Sequence, residues 1–198
     1  MKKITRIALA LALVTLPAGQ AMAGWKLVNA AKPTAIGKTT FNVTAGEEWN
    51  RNTYRPIKKG ELWSLDGLGL NELYFVTGLI PGEPLYRELD KKNKPLPKMG
   101  KSLQLTDIPD FFESSQRVAL NTSLFQLTGT EPVKFAGNDG VRFTYEYAVQ
   151  GNPMKYRGVA QAAVVKGQLY LISFTAPAIH YFERDRARAE AIMASAKI

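Results

Sequence analysis

The chain has one histidine, His180, no cysteine and seven serines, so few of its residues can act as nucleophile or base. A Ser-His-acid relay needs an imidazole beside an activated hydroxyl, typically on a strand-to-helix elbow, and no G-x-S-x-G occurs. A lone imidazole without thiolates cannot assemble a structural zinc site. Asp107, Asp110 and Glu113 offer oxygen ligands near one side of a predicted helix, but acids in a first turn are already favoured by the helix dipole. The G-L-G at Gly67 to Gly69 has none of the further spacing of a phosphate loop. Carboxylate chemistry stays open. Asp66, Glu72 and Glu146 would serve a hydrolase if two of them faced each other across a cleft. No cofactor and no metal is expected from this set.

The most distinctive constellation is cationic. Lys91, Lys92, Lys94, Lys98 and Lys101 fall within eleven residues of "KKNKPLPKMGK". On a proline-stiffened loop such a run attracts anionic surfaces, each lysine adding about 1 kcal/mol near an acidic membrane. The competing reading is a solvated charge run that serves solubility alone. The tryptophans Trp25, Trp49 and Trp63 and the eight tyrosines either line a ligand groove or form core with polar tips at the surface.

The first residues order charge (Lys2, Lys3, Arg6), an apolar run from Ile7 to Leu16, a breaker at Pro17 and small residues at Ala21 and Ala23. That is the pattern of a secretory signal peptide cut between Ala23 and Gly24. Its apolar run is about half the roughly 20 residues a spanning helix needs, so no membrane-spanning segment is expected. Removing 23 of 198 residues leaves 175, enough for one domain with a real core. Residues 24–198 are therefore expected to fold as a single domain. An exported chain without cysteine is held by packing rather than disulfides, which favours a bacterial periplasm. The formal charge of +9 drops to +6 once Lys2, Lys3 and Arg6 are removed. In an exported protein this excess suits acidic lipid, an acidic envelope polymer or an acidic protein surface rather than nucleic acid.

Several elements must position these residues. "WKLV" and "TTFNV" read as strands, and "GEEWNRN" as a polar bend. "ELWSLDG" and "LNELYFVTGLI" read as a hairpin turning at Asp66-Gly67. Residues 81–101 carry four prolines and two glycines, which predicts a long surface loop. "LTDIPDFFESSQRVALNTS" predicts a helix of three to four turns, with Asp107 as cap, Pro109 near its first turn and Phe112, Val118 and Leu120 apolar. "FQLTGTEPVKFAG" is a strand candidate interrupted at Pro132, with a turn predicted at Asn138-Asp139-Gly140. Val141, Phe143, Tyr145 and Tyr147 alternate with polar residues, the clearest period of two in the chain. "YRGVAQAAVV" and "QLYLISFTA" follow as a hairpin joined at Lys166-Gly167. Residues 182–196 predict a helix with Phe182, Ala189, Ile192, Met193 and Ala196 on one stripe. Consecutive antiparallel strands with an inserted and an appended helix make an α+β protein.

The C-terminal segment "YRGVAQAAVVKGQLYLISFTAPAIHYFERDRARAEAIMASAKI" resembles the PsbP and Mog1-like superfamily, which includes the DcrB-like group of bacterial exported proteins. The resemblance lies in a strand of small and branched residues, the Lys166-Gly167 turn, "QLYLI", the Tyr181-Phe182 pair and the closing helix. It implies an α/β/α sandwich around a central antiparallel sheet with the last helix packed across it. It also implies accessory or binding work rather than catalysis, and it transfers no active site. His180 is then expected as the corner where the last strand meets the last helix, seating that helix with its aromatic neighbours. The leading expectation is a monomeric, soluble, periplasmic accessory protein, not an enzyme, that engages a protein partner or the anionic envelope through a surface patch. Two others stand beside it: the carboxylate hydrolase, and a carrier of a small apolar molecule, which requires a large pocket between sheet and helix.

Overall fold

The computed structural model describes residues 24–122 and 124–198, and the predicted leader at 1–23 lies outside them. The strands are β1 (Trp25–Val28), β2 (Pro33–Ala35), β3 (Asn42–Thr44), β4 (Trp49–Asn52), β5 (Gly60–Ser64) and β6 (Glu72–Leu79). After α1 (Ile108–Leu120) come β7 (Leu124–Phe135), β8 (Asn138–Ala148), β9 (Lys155–Val165), β10 (Gln168–Pro177) and α2 (Tyr181–Ala194). Eight strands form one antiparallel sheet in the order β1-β4-β5-β6-β10-β9-β8-β7, and β2 and β3 form a separate ribbon. The fold is α+β, as expected.

Alternation along the strands sorts the core into two layers. On one face Leu73, Phe75, Val159, Ile172 and Phe174 meet Phe182, Ala189, Ile192 and Met193 of α2, together with Phe41 and Val43 at the ribbon. On the other, Val76, Phe143, Tyr145, Ala160 and Leu171 meet Ile108 and Phe112 of α1. A sheet with apolar side chains on both faces needs a cover on each, and the two helices supply them. The second cover extends beyond α1. Leu85, Tyr86, Leu96 and Met99 of the 81–101 segment are buried in the same layer. Gly82 N–H donates to Met99 O, and Met99 N–H to Glu83 O, both at 2.9 Å. The segment lacks helix and regular strand, as its prolines require, yet it is a packed cover rather than a loop lying only on the surface.

Three local expectations are corrected. "GEEWNRN" is not a bend throughout, because Trp49 is fully buried and its segment pairs with both β1 and β5. The turn expected at Asn138-Asp139-Gly140 sits earlier, where Ala136 and Gly137 take φ of 49° and 80°. Those values suit a hairpin of the tight primed type. Pro132 does not interrupt β7, which pairs with β8 on both sides of it; the register shifts earlier, between Leu127 and Gly129. β7 is an edge strand, where a missing N–H is tolerated.

The end of β6 is tied to α2 by a buried polar network. Fully buried Asp185 accepts hydrogen bonds from Asn71 Nδ2 at 3.0 Å, Arg184 Nε at 2.8 Å and Arg188 Nη1 at 3.2 Å. Asn71 and Arg184 also reach Asp66. The Arg184 hydrogen bond holds the Asp66 carboxyl below the usual carboxylate range.

His180 does mark the corner between β10 and α2, but it does not seat the helix. Its side chain is exposed, its ring lies edge-on to Tyr181, and the buried anchor is Phe182. Its φ of 70° and ψ of −61°, with Tyr181 N–H donating to Ile179 O at 2.9 Å, define a γ-turn of the rare positive-φ form. Such backbone costs a residue with a Cβ about 1–3 kcal/mol. His180→Gly is therefore expected to raise stability by about 1 kcal/mol after the extra unfolded-state entropy of glycine is subtracted. A urea melt checks this, and a lower midpoint would show that the imidazole contact with Tyr181 outweighs the strain.

Candidate binding site

The five loop lysines are all exposed. Lys91, Lys92 and Lys94 share one turn, in which Asp90 O accepts Lys94 N–H at 2.9 Å and Asp90 Oδ1 accepts Asn93 N–H at 3.1 Å. Lys98 stands on a leg of the same segment, in an isolated bridge with Pro84, and Lys101 lies just beyond. Among the described residues, none of the five has a carboxylate within ion-pair distance. The arginines of the opposite face are matched instead: Arg142 with Glu131 and Glu190, Arg157 with Glu146 and Glu183, Arg188 with Glu47. The cluster is thus unneutralised charge on an anchored segment.

Beneath that turn lies a cavity of about 340 Å³, between the last turns of α1, the middle of β6 and the loop. It falls within the range of small-molecule sites. Its walls are Tyr74 and Tyr86, whose rings meet edge-on at 6.1 Å, with Leu96, Val118 and Leu120. Its mouth is set by Tyr54, Arg87, Leu89, Asp90, Lys94 and Asn121. Two large apolar side chains stand in water there, Leu89 at 82% exposure and Tyr54 at 58%. Lys94 Nζ approaches Asn121 Oδ1 at 3.5 Å, and the Arg87 guanidinium carbon lies 6.0 Å from the centre of the Tyr54 ring.

The polar groups inside differ in how well they are satisfied. Tyr74 donates to Glu72 Oε2 at 2.7 Å. Gln116 is only 4% exposed, yet its amide makes no hydrogen bond to another described residue, and neither does the Tyr86 hydroxyl. Both groups line the cavity and reach solvent through it. The sequence signal for this site was present but weak: Gln116 follows Phe112 by four positions on the buried stripe of α1, and "PLYREL" places apolar side chains among charges.

The tyrosines on this face give a pH prediction. Burial raises Tyr74, Tyr86, Tyr145 and Tyr147 above the usual phenol range, and the nearby Glu72 carboxylate adds to it. A phenol held neutral in the fold ionises more readily once unfolded. The unfolded chain therefore binds fewer protons above about pH 10, and stability falls as pH rises beyond that value. Titration at the phenolate absorbance band is expected to show these four ionising together with the loss of near-ultraviolet dichroism. Their ionisation in a folded protein near pH 10 would contradict the burial.

The other candidates are not brought together. Glu72 accepts from Tyr74 and from Gly69 N–H on the α1 face, whereas Glu146 pairs with Arg157 on the α2 face and Asp66 is held by Arg184. Glu72 and Glu146 thus lie on opposite sides of the sheet and cannot form the facing pair a glycoside hydrolase needs. Asp107 caps the turn before α1 through Gln104 N–H, and Glu113 pairs with Arg117 four residues on. The His180 side chain makes no hydrogen bond to a serine among the described residues.

No family model matches the chain, and no curated protein matches it by sequence. Among solved structures it is similar to the cyanobacterial PsbP (CyanoP) of Synechocystis sp. PCC 6803, at 13% identity and a TM-score of 0.49 over 93% of this chain and 98% of that one. It is also similar to LpqN, involved in cell envelope biogenesis in Mycobacterium tuberculosis, at 11% identity and a TM-score of 0.36 over 87% and 90%. The sandwich itself rests on the strand pairing and the two cores described above.

Proposed function

We propose that this chain is an exported accessory protein that binds rather than catalyses, and that its working face is the one built by α1 and the 81–101 segment. The observation that carries this is the anchoring of the segment. Leu85, Tyr86, Leu96 and Met99 are sunk in the core, so the five lysines are presented from a fixed platform. Exposed Leu89 and Tyr54 stand beside them, and a cationic rim around apolar side chains suits an anionic lipid surface. No helix among the described residues is long and apolar enough to cross a membrane. Contact with the envelope would therefore be peripheral and reversible. The cavity opening on this face favours, as a second reading, a carrier of a small molecule.

Binding of the purified protein to vesicles with acidic headgroups is expected to fall steeply between low salt and about 0.5 M, where the screening length drops below about 5 Å. Replacing Lys91, Lys92, Lys94, Lys98 and Lys101 together by Gln should weaken it at least a hundredfold at low salt, given about 1 kcal/mol per lysine before losses to geometry. Neutral vesicles serve as control. Equal binding by the wild type and the five-fold variant would assign the lysines to solubility, and salt-sensitive binding to an acidic protein but not to vesicles would move the proposal to a protein partner.

A further inference from the structure

We propose that the cavity beneath the loop binds a small amphiphilic anion, an ω-hydroxylated carboxylate with an apolar body. The inference rests on this being the working face, but not on contact with lipid. Three observations converge on the class. The walls are apolar and aromatic, so the body of the ligand must be too. Inside the site, the Gln116 amide and the Tyr86 hydroxyl line the cavity, reach its solvent and make no hydrogen bond to another described residue. An apolar chain end placed there would expel the water that can bond them and leave both unsatisfied, whereas a hydroxyl both donates and accepts and satisfies them. At the mouth stand the Arg87 guanidinium, which has no carboxylate partner among the described residues, and Lys94, against a single acid, Asp90. Asp90 is already engaged by the Asn93 side chain at 3.1 Å. Two cations at the rim select an anionic head, and the planar guanidinium suits a carboxylate. The ligand thus carries its charge outward and its hydroxyl inward.

The site is tested by calorimetric titration of the whole protein in vesicle-free buffer, below micelle-forming concentrations. The probes are ω-hydroxyalkanoates of hexane to decane length, the alkanoates of matching length and the matching diols. One hydroxyalkanoate is expected to bind about tenfold more tightly than its alkanoate, as one buried hydrogen bond provides, and tighter again than its diol. Arg87→Gln with Lys94→Gln should remove the advantage over the diol. Gln116→Leu, which exchanges an amide unpaired within the fold for an apolar side chain, should remove most of the advantage over the alkanoate by tightening alkanoate binding. Absence of binding by every probe, equal affinity for hydroxyalkanoate and alkanoate, or affinities unmoved by these substitutions would overturn the proposal. Vesicle binding by the same preparation reports separately on the working face, so the two readings fail independently.

Discussion

Phe182→Ala is expected to lower the stability of the domain by about 3–5 kcal/mol, a large fraction of what one domain possesses. Phe182 is in the first turn of α2 and is 2% exposed. Its ring stacks on Phe174 of β10 at 5.9 Å, and the Arg157 guanidinium carbon lies 4.8 Å from its centre on the sheet. Removing the ring leaves a void at the first buried side chain after the strained His180 corner. The loss then reaches the rest of the helix, whose Ala189, Ile192 and Met193 contribute to the same layer. His180→Gln, two residues earlier and exposed, should stay within about 0.5 kcal/mol of wild type and keep vesicle binding intact. Urea melts of the two variants side by side check this. A loss below about 1 kcal/mol for Phe182→Ala would mean that α2 is held by its polar network rather than by this anchor.

Gly158→Ala is the second large effect. Gly158 on β9 pairs with Tyr145 on β8, and a Cβ at Gly158 would overlap the Tyr145 ring deep inside van der Waals contact. That ring cannot retreat easily. Phe125 stacks on it at 5.2 Å, Phe112 of α1 lies 5.1 Å away, and its hydroxyl shares a 2.7 Å hydrogen bond with Ser173 Oγ. Overpacking costs about 1–3 kcal/mol, and a broken buried hydrogen bond costs about 1–3 more. A total near 3 kcal/mol is expected, together with a weaker near-ultraviolet tyrosine signal. An unchanged melt would show that the tyrosine ladder can slide.

These two residues also show what the sequence can and cannot disclose. The stripe through Phe182, Ala189, Ile192 and Met193 was legible because a helix burying one face repeats at 3.6 residues. β8 was legible because its alternation is strict. The small residues of "GVAQAA" were legible as a strand, but their reason was not. Gly158, Ala160 and Ala162 are small because the rings of β8 and α1 occupy the space above them, a fact of tertiary packing. The same limit hid the site. Five lysines within eleven residues are plain in any sequence, whereas the cavity needs Tyr74, Tyr86 and Gln116 to converge from a strand, a segment without periodicity and a helix. The 81–101 segment meets the same limit: its prolines rule out regular structure, but they do not forbid burial of Leu85 or Leu96.

The account stands or falls on where binding occurs. Amide hydrogen exchange of the whole protein, with and without acidic vesicles at low salt, locates it directly. The account predicts added protection confined to about residues 85–101 and to the last turns of α1, from Gln116 to Asn121, with α2 and the β7 edge unchanged. Protection on the α2 face instead, or vesicle binding with no change in the loop, would contradict it.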